Sequence, residues 1–73
     1  MITYQDVDGD SGVLEYECGV DYIDVKFKGT AKIYSYSYQS AGKENVETMK
    51  TLAKNGNGLN SFINTNVKYM YVK

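Results

Sequence analysis

The sequence predicts a small α+β domain, in which an antiparallel sheet of three to four strands has two short helices packed on one face. Three observations predict it: apolar residues alternate with polar ones within residues 13–38, they recur at three- and four-residue spacing afterwards, and glycines separate these segments. The chain has 73 residues, which is the size of one domain. We therefore expect a single domain over residues 1–73.

The alternating pattern predicts antiparallel strands within residues 13–38, joined by short hairpin loops at glycine positions. It places Leu14, Tyr16 and Cys18 on one face of the first of these strands. Residues 22–28 alternate most clearly, which makes them the strongest strand signal in the chain.

Residues 1–12 are expected to form an N-terminal strand and an acidic loop. The run Asp6-Val7-Asp8-Gly9-Asp10-Ser11-Gly12 resembles the opening of a calcium-binding loop, because acids occupy alternate positions. Its first glycine falls fourth rather than sixth, so an acidic turn is the preferred interpretation and no metal site is predicted.

Two helices are predicted within residues 40–67. Ser40 suits the start of the first helix, and Gly56 suits a left-handed residue that ends it. Residues 68–73 are interpreted as a tail or a short terminal strand, because they alternate again. The apolar stripes of the two helices are Val46, Met49, Leu52 and Ala53, then Leu59, Phe62, Ile63 and Val67.

The composition excludes several kinds of active site. The chain has no His, Arg, Trp or Pro, and Cys18 is its only cysteine. A His-based catalytic centre or a Cys/His zinc site therefore cannot form within one chain. The acids, tyrosines and lysines are scattered, so we expect neither an enzyme nor a bound cofactor.

The charge is divided unevenly along the chain. The formal net charge is −1, which does not favour general binding of long nucleic acids. Residues 1–40 carry seven acids and three lysines, whereas residues 41–73 carry five lysines and two glutamates. An anion-binding site is therefore expected in the second half. An unpaired cysteine, short apolar runs and the lack of a leader-like start predict a cytoplasmic protein without membrane partners.

A family resemblance narrows these expectations. The runs Tyr34-Ser35-Tyr36-Ser37-Tyr38, Ser40-Ala41-Gly42-Lys43-Glu44-Asn45 and Gly56-Asn57-Gly58-Leu59-Asn60-Ser61-Phe62-Ile63-Asn64, with Met49 and Leu52-Ala53 between them, resemble a KTSC domain over roughly residues 13–68. This small module occurs as a free-standing bacterial or phage protein and at the end of some lysyl-tRNA synthetases. The resemblance implies the α+β fold and suggests RNA binding.

Tyr34, Tyr36 and Tyr38 form the first candidate constellation. Side chains two residues apart project from the same face of a strand, about 6.6–6.8 Å from one to the next. Such a ladder suits stacking on nucleobases. The alternative is that at least two of these rings lie under the helices as part of the core.

The start of the first helix is the second constellation, formed by Ser40, Gly42, Lys43 and Asn45. Unpaired N–H groups and the lysine charge suit a phosphate there. A solvated lysine next to a permissive glycine is the alternative.

The third constellation follows the first helix and comprises Gly58, Asn60 and Asn64. The two carboxamides lie one helical turn apart, and each offers both a donor and an acceptor to a base edge or a peptide. The alternative is a Schellman turn followed by an ordinary helix.

The sequence therefore favours a non-catalytic module that binds a small nucleotide-like anion, with a tyrosine on the base and Lys43 on the phosphate. A specific version is a phage protein that sequesters a host signalling nucleotide. The alternatives are an RNA-binding accessory domain and a protein-interaction or self-assembly module, and a homo-oligomer is expected because eight tyrosines exceed what a small core can bury.

Overall fold

The computed structural model describes residues 1–5 and 12–72 and has the predicted α+β fold. The acidic turn predicted at residues 6–12 lies outside the described residues, apart from Gly12. The strands are β1 (Ile2–Thr3), β2 (Val13–Cys18), β3 (Tyr22–Phe27) and β4 (Ile33–Ser37). The helices are α1 (Tyr38–Ala41), α2 (Lys43–Asn55) and α3 (Leu59–Phe62), and a π-helical turn (Ile63–Val67) continues α3.

The four strands form one antiparallel sheet in the order β1-β2-β3-β4. The pairing of β2 with β3 is irregular between Val13 and Glu15. This bulge turns both Val13 and Tyr16 toward the core and leaves Leu14 exposed, which strict alternation did not predict.

The helices cover one face of the sheet, and the core lies between the two layers. The opposite sheet face is polar: the Lys26 ammonium lies 3.9 Å from a Glu15 carboxylate oxygen, and Glu17 is exposed. The buried residues come from both layers: Tyr4, Val13, Tyr16, Ile23, Val25 and Tyr36 from the sheet side, and Ala41, Val46, Met49, Ala53, Leu59, Ile63 and Val67 from the helical side.

The change from strand to helix falls at Ser37, earlier than predicted. The Ser37 hydroxyl accepts a hydrogen bond from the Ser40 N–H at 3.0 Å, and the Ser40 hydroxyl accepts one from the Ser37 N–H at 2.9 Å. This reciprocal cap begins α1. Ser40 therefore serves the one-turn helix α1, and α2 begins after Gly42, whose φ is +94°.

Gly56 ends α2 as predicted. It adopts a left-handed conformation, with φ of +71°. Its N–H donates to the Ala53 carbonyl, and the Asn57 N–H donates to the Leu52 carbonyl at 3.3 Å, which is the Schellman pattern. The turn is therefore set by backbone hydrogen bonds from Gly56 and Asn57 to the last turn of α2.

Replacing Gly56 with alanine is expected to destabilise the fold by about 1 kcal/mol, because a side chain disfavours the left-handed conformation. Denaturant unfolding measures this change. Asn55→Ala is the matched control: Asn55 is exposed and still helical, so its replacement is expected to cost less than about 0.5 kcal/mol. Equal losses for the two variants would contradict the assigned conformation.

Candidate functional site

An open cleft of about 330 Å³ lies where the end of β3, the strand β4, the α3 region and the tail meet. We call it the aromatic cleft, and we call residues 68–72 the tail. The aromatic residues that line the cleft are Phe27, Tyr34, Tyr36, Tyr69 and Tyr71. Its other lining residues are Thr30, Asn60, Ile63, Asn64 and Lys68.

Four of the lining rings pack edge to face. The ring centres of Tyr34 and Tyr71 are 4.8 Å apart, those of Phe27 and Tyr34 are 5.5 Å apart, and those of Tyr36 and Tyr71 are 6.3 Å apart. These distances and steep interplanar angles are typical of favourable aromatic pairs. These four packed rings, which we call the aromatic wall, form one side of the cleft. They are Phe27, Tyr34, Tyr36 and Tyr71.

Tyr36 is the base of this wall. Its side chain is only 1% exposed, although it borders the cleft. Burial, and then the neighbouring Tyr34 and Tyr71 phenols, raise the pKa of Tyr36 to about 12. The neutral phenol is therefore strongly favoured in the folded protein.

Asn60 and Asn64 bring two carboxamides to the cleft. Asn60 lies on α3 and Asn64 on the π-helical turn, so the two come from one continuous helical segment. Within residues 1–5 and 12–72, neither side chain has a hydrogen-bond partner. The described residues therefore leave the donors and acceptors of both carboxamides unused, and ligand binding by this pair stays a prediction.

Two lysines lie against the rings of this region. The Lys68 ammonium, which borders the cleft, is 5.4 Å from the centre of the Tyr69 ring. The Lys32 ammonium is 5.0 Å from the Tyr34 ring centre and 5.8 Å from that of Tyr71. The cleft therefore combines aromatic surface, amides and positive charge.

Tyr38 lies apart from the other two members of its predicted ladder, because β4 ends at Ser37. Its hydroxyl donates to the Glu47 carboxylate at 2.6 Å, and the Lys50 ammonium lies 2.9 Å from the same oxygen. These two hydrogen bonds lower the pKa of Glu47. Lys50 also donates to the Val20 carbonyl at 3.0 Å, so this cluster ties α2 to the β2–β3 turn.

Lys43, at the start of α2, lies beside Tyr38. Its ammonium is 5.9 Å from the centre of the Tyr38 ring, and the Lys50 ammonium is 5.6 Å from it. Asn45 donates from its side-chain amide to the Ala41 carbonyl at 2.8 Å. Both Asn45 and the Tyr38 hydroxyl are thus occupied by local partners.

The structure divides the predicted site residues into groups. Tyr34, Tyr36, Asn60 and Asn64 meet in the aromatic cleft, whereas Tyr38 and Lys43 meet at the start of α2. The remaining predicted residues, Ser40, Gly42, Asn45 and Gly58, do not line the aromatic cleft.

Sequence reasoning missed six residues of the cleft, and three of these belong to the tail. The segment from Tyr69 to Val72 is not a strand: one backbone hydrogen bond, from the Val72 N–H to the Ser35 carbonyl at 2.6 Å, joins it to β4. Tyr69 and Tyr71, close to Lys68, could have indicated a binding surface in the tail. The alternating pattern instead led to the interpretation of this segment as a tail or a short strand. The missed residues are Phe27, Thr30, Ile63, Lys68, Tyr69 and Tyr71.

Comparison of the chain with protein-family models, curated proteins and solved structures gives no match. The resemblance to the KTSC domain therefore rests on the residue pattern alone. Among the described residues, no cluster of three or more Cys, Asp or Glu side chains could hold a metal ion. None of the helices in that part of the chain has the length and apolar character needed to cross a bilayer.

The raised pKa of Tyr36 predicts a loss of stability at alkaline pH. Because the folded pKa is about 12 and that of an unfolded tyrosine is about 10, the stabilisation is complete below pH 10 and is lost as the pH rises toward 12. Denaturant unfolding across this range is expected to show a falling free energy of unfolding.

Tyr36→Phe tests the assignment, because it removes the ionisable hydroxyl and keeps the ring. The variant is expected to lose part of the alkaline fall, whereas Tyr69→Phe, a change at an exposed ring, is expected to keep it. An unchanged profile in Tyr36→Phe would contradict the assignment.

Proposed function

We propose that this chain is a non-catalytic binding module that holds a small, planar, nucleotide-like anion in the aromatic cleft. The observation that carries the proposal is that aromatic rings, two carboxamides with no hydrogen-bond partner among the described residues and a lysine ammonium border one hollow of about 330 Å³. This volume is at the lower end of the range for small-molecule sites, about 300–1,000 Å³.

Each part of such a ligand has a matching group in the cleft. An aromatic ring suits the planar base, since stacking contributes about 1–3 kcal/mol per base. Asn60 and Asn64 offer donors and acceptors to the edge of the base. Lys68 offers the positive charge for the phosphate, a role that the sequence had suggested for Lys43.

The lining also favours binding over catalysis. No carboxylate or thiol is among the described residues that border the cleft. A general acid or base needs a pKa near the working pH, whereas the buried phenol in the cleft has a pKa of about 12. The lack of carboxylates among these described lining residues also supports an anionic ligand.

A single base and phosphate suit this chain better than a long RNA. The cleft is small, and the opposite sheet face carries the acids Glu15, Glu17 and Asp24. A long polyanion would need many cationic contacts. One stacked ring and one phosphate contact leave the affinity of a single chain weaker than micromolar, which requires about 8 kcal/mol.

Calorimetry tests the proposal with adenosine, guanosine, cytidine and uridine monophosphates, cyclic nucleotides and ribose 5-phosphate. At least one nucleotide is expected to bind, and ribose 5-phosphate more weakly because it lacks the base. Lys68→Gln is expected to weaken binding severalfold, and its effect should shrink with salt.

Lys43→Gln is the matched control, because it removes an exposed lysine charge outside the cleft. It is expected to leave the affinity nearly unchanged. A flat response of the wild type to the whole panel would refute the proposed function. A loss in Lys43→Gln but not in Lys68→Gln would move the site to the start of α2.

Self-assembly is the second candidate function, favoured by the apolar side chains exposed around the tail. Tyr69, Met70 and Val72 are exposed, and so is Ile33 on the edge strand β4. Sedimentation velocity at tens of micromolar is expected to show a dimer or larger species, and Met70→Lys is expected to weaken it. A strictly monomeric wild type would rule out this candidate.

A further inference from the structure

The five rings of the aromatic cleft differ in whether they already pack against other rings. Tyr34 and Tyr36 each pack edge to face with Tyr71, and Phe27 packs on Tyr34. Edge-to-face packing uses ring faces that a base would need for stacking. These four rings therefore have less open surface for stacking than a ring that packs against no other ring.

Tyr69 is different. It borders the cleft, yet it is 73% exposed, and among the described residues its ring packs against no other ring. The Lys68 ammonium lies 5.4 Å from the centre of the Tyr69 ring. An exposed pair of this kind is weak, so a ligand can readily replace it.

The backbone on both sides of Tyr69 is fixed. The Met70 N–H donates to the Val67 carbonyl at 2.8 Å, and the Val72 N–H donates to the Ser35 carbonyl. Tyr71 adds a side-chain anchor between them, since its ring packs on Tyr34 and Tyr36. The Tyr69 ring can therefore change its rotamer while the tail remains in place.

We propose that Tyr69 is the residue that stacks on the ligand, folding over the cleft and clamping the planar group against the aromatic wall. Lys68, the preceding residue, then turns its ammonium from the Tyr69 ring to the anionic group of the same ligand. The clamp rests on the proposed function, because it requires a planar anion in the cleft. It assigns the stacking to the tail and not to the tyrosines of β4.

Tyr69→Trp provides a direct reporter, because the chain contains no other tryptophan. Titration with the nucleotide monophosphate that the wild type binds most tightly by calorimetry is expected to quench its fluorescence in a saturable way. The midpoint should match the calorimetric dissociation constant. Val20→Trp is the matched control, because Val20 is 90% exposed in the β2–β3 turn, at the opposite end of β3 from Phe27. It should show no saturable quenching.

Two further variants separate the ring from the hydroxyl. Tyr69→Ala is expected to weaken binding about 5- to 150-fold, the range that corresponds to the loss of one stacked ring. Tyr69→Phe keeps the ring and is expected to stay within about twofold of the wild type. Because Tyr69 is exposed, neither change should disturb the fold, and thermal unfolding checks this.

The results distinguish the clamp from the site itself. A wild type that binds no nucleotide overturns the proposed function and the clamp together. A wild type that binds, with Tyr69→Ala of equal affinity and no saturable quenching in Tyr69→Trp, overturns the clamp alone and leaves the cleft as the site. Loss of affinity in Tyr69→Ala with saturable quenching in Tyr69→Trp supports the clamp.

Discussion

The burial of Tyr36 is the interaction on which the rest of the structure depends. It is the largest of the fully buried side chains, it pairs across the sheet with Ile23, and its ring meets that of Tyr71 in the tail. A domain of this size has a small core, so one large aromatic residue contributes a considerable share of its stability. The same residue borders the aromatic cleft, so the core and the candidate site share a side chain.

Much of the fold follows from local sequence signals. The alternation in residues 22–27 and the spacing of Val46, Met49 and Ala53 each identify their element without reference to the rest of the chain. The bulge in β2 cannot be identified in this way, because Val13 and Leu14 are both apolar and only packing decides which of them is buried. The early end of β4 also escaped prediction: a serine at the position of the usual Glu or Gln makes the cap at Ser37 a weaker signal.

The candidate site shows the same division between local and long-range information. The pairing of Asn60 with Asn64 is a property of one helical segment, so their spacing in the sequence predicted it. The contribution of the tail depends on where Val72 meets β4, and nothing in the sequence of either segment specifies that contact. Tyr38 was assigned to the wrong group for a related reason, since the capped turn after Ser37 separates it from Tyr34 and Tyr36.

The π-helical turn at Ile63–Val67 sets the direction in which the last residues leave the helix. A π-helical turn holds about one residue more than an α-helical one, and each residue of an α-helix advances about 100° around the axis. Here Ile63 and Val67 both reach the core while Asn64 stays at the cleft. A chain one residue shorter at this point would regain regular winding, and everything beyond it would rotate by roughly a quarter of a circle. Such a relative would keep the sheet and α2 but would carry Lys68 and Tyr69 to another side of the molecule, so the lining of its cleft should differ even where its β4 is identical.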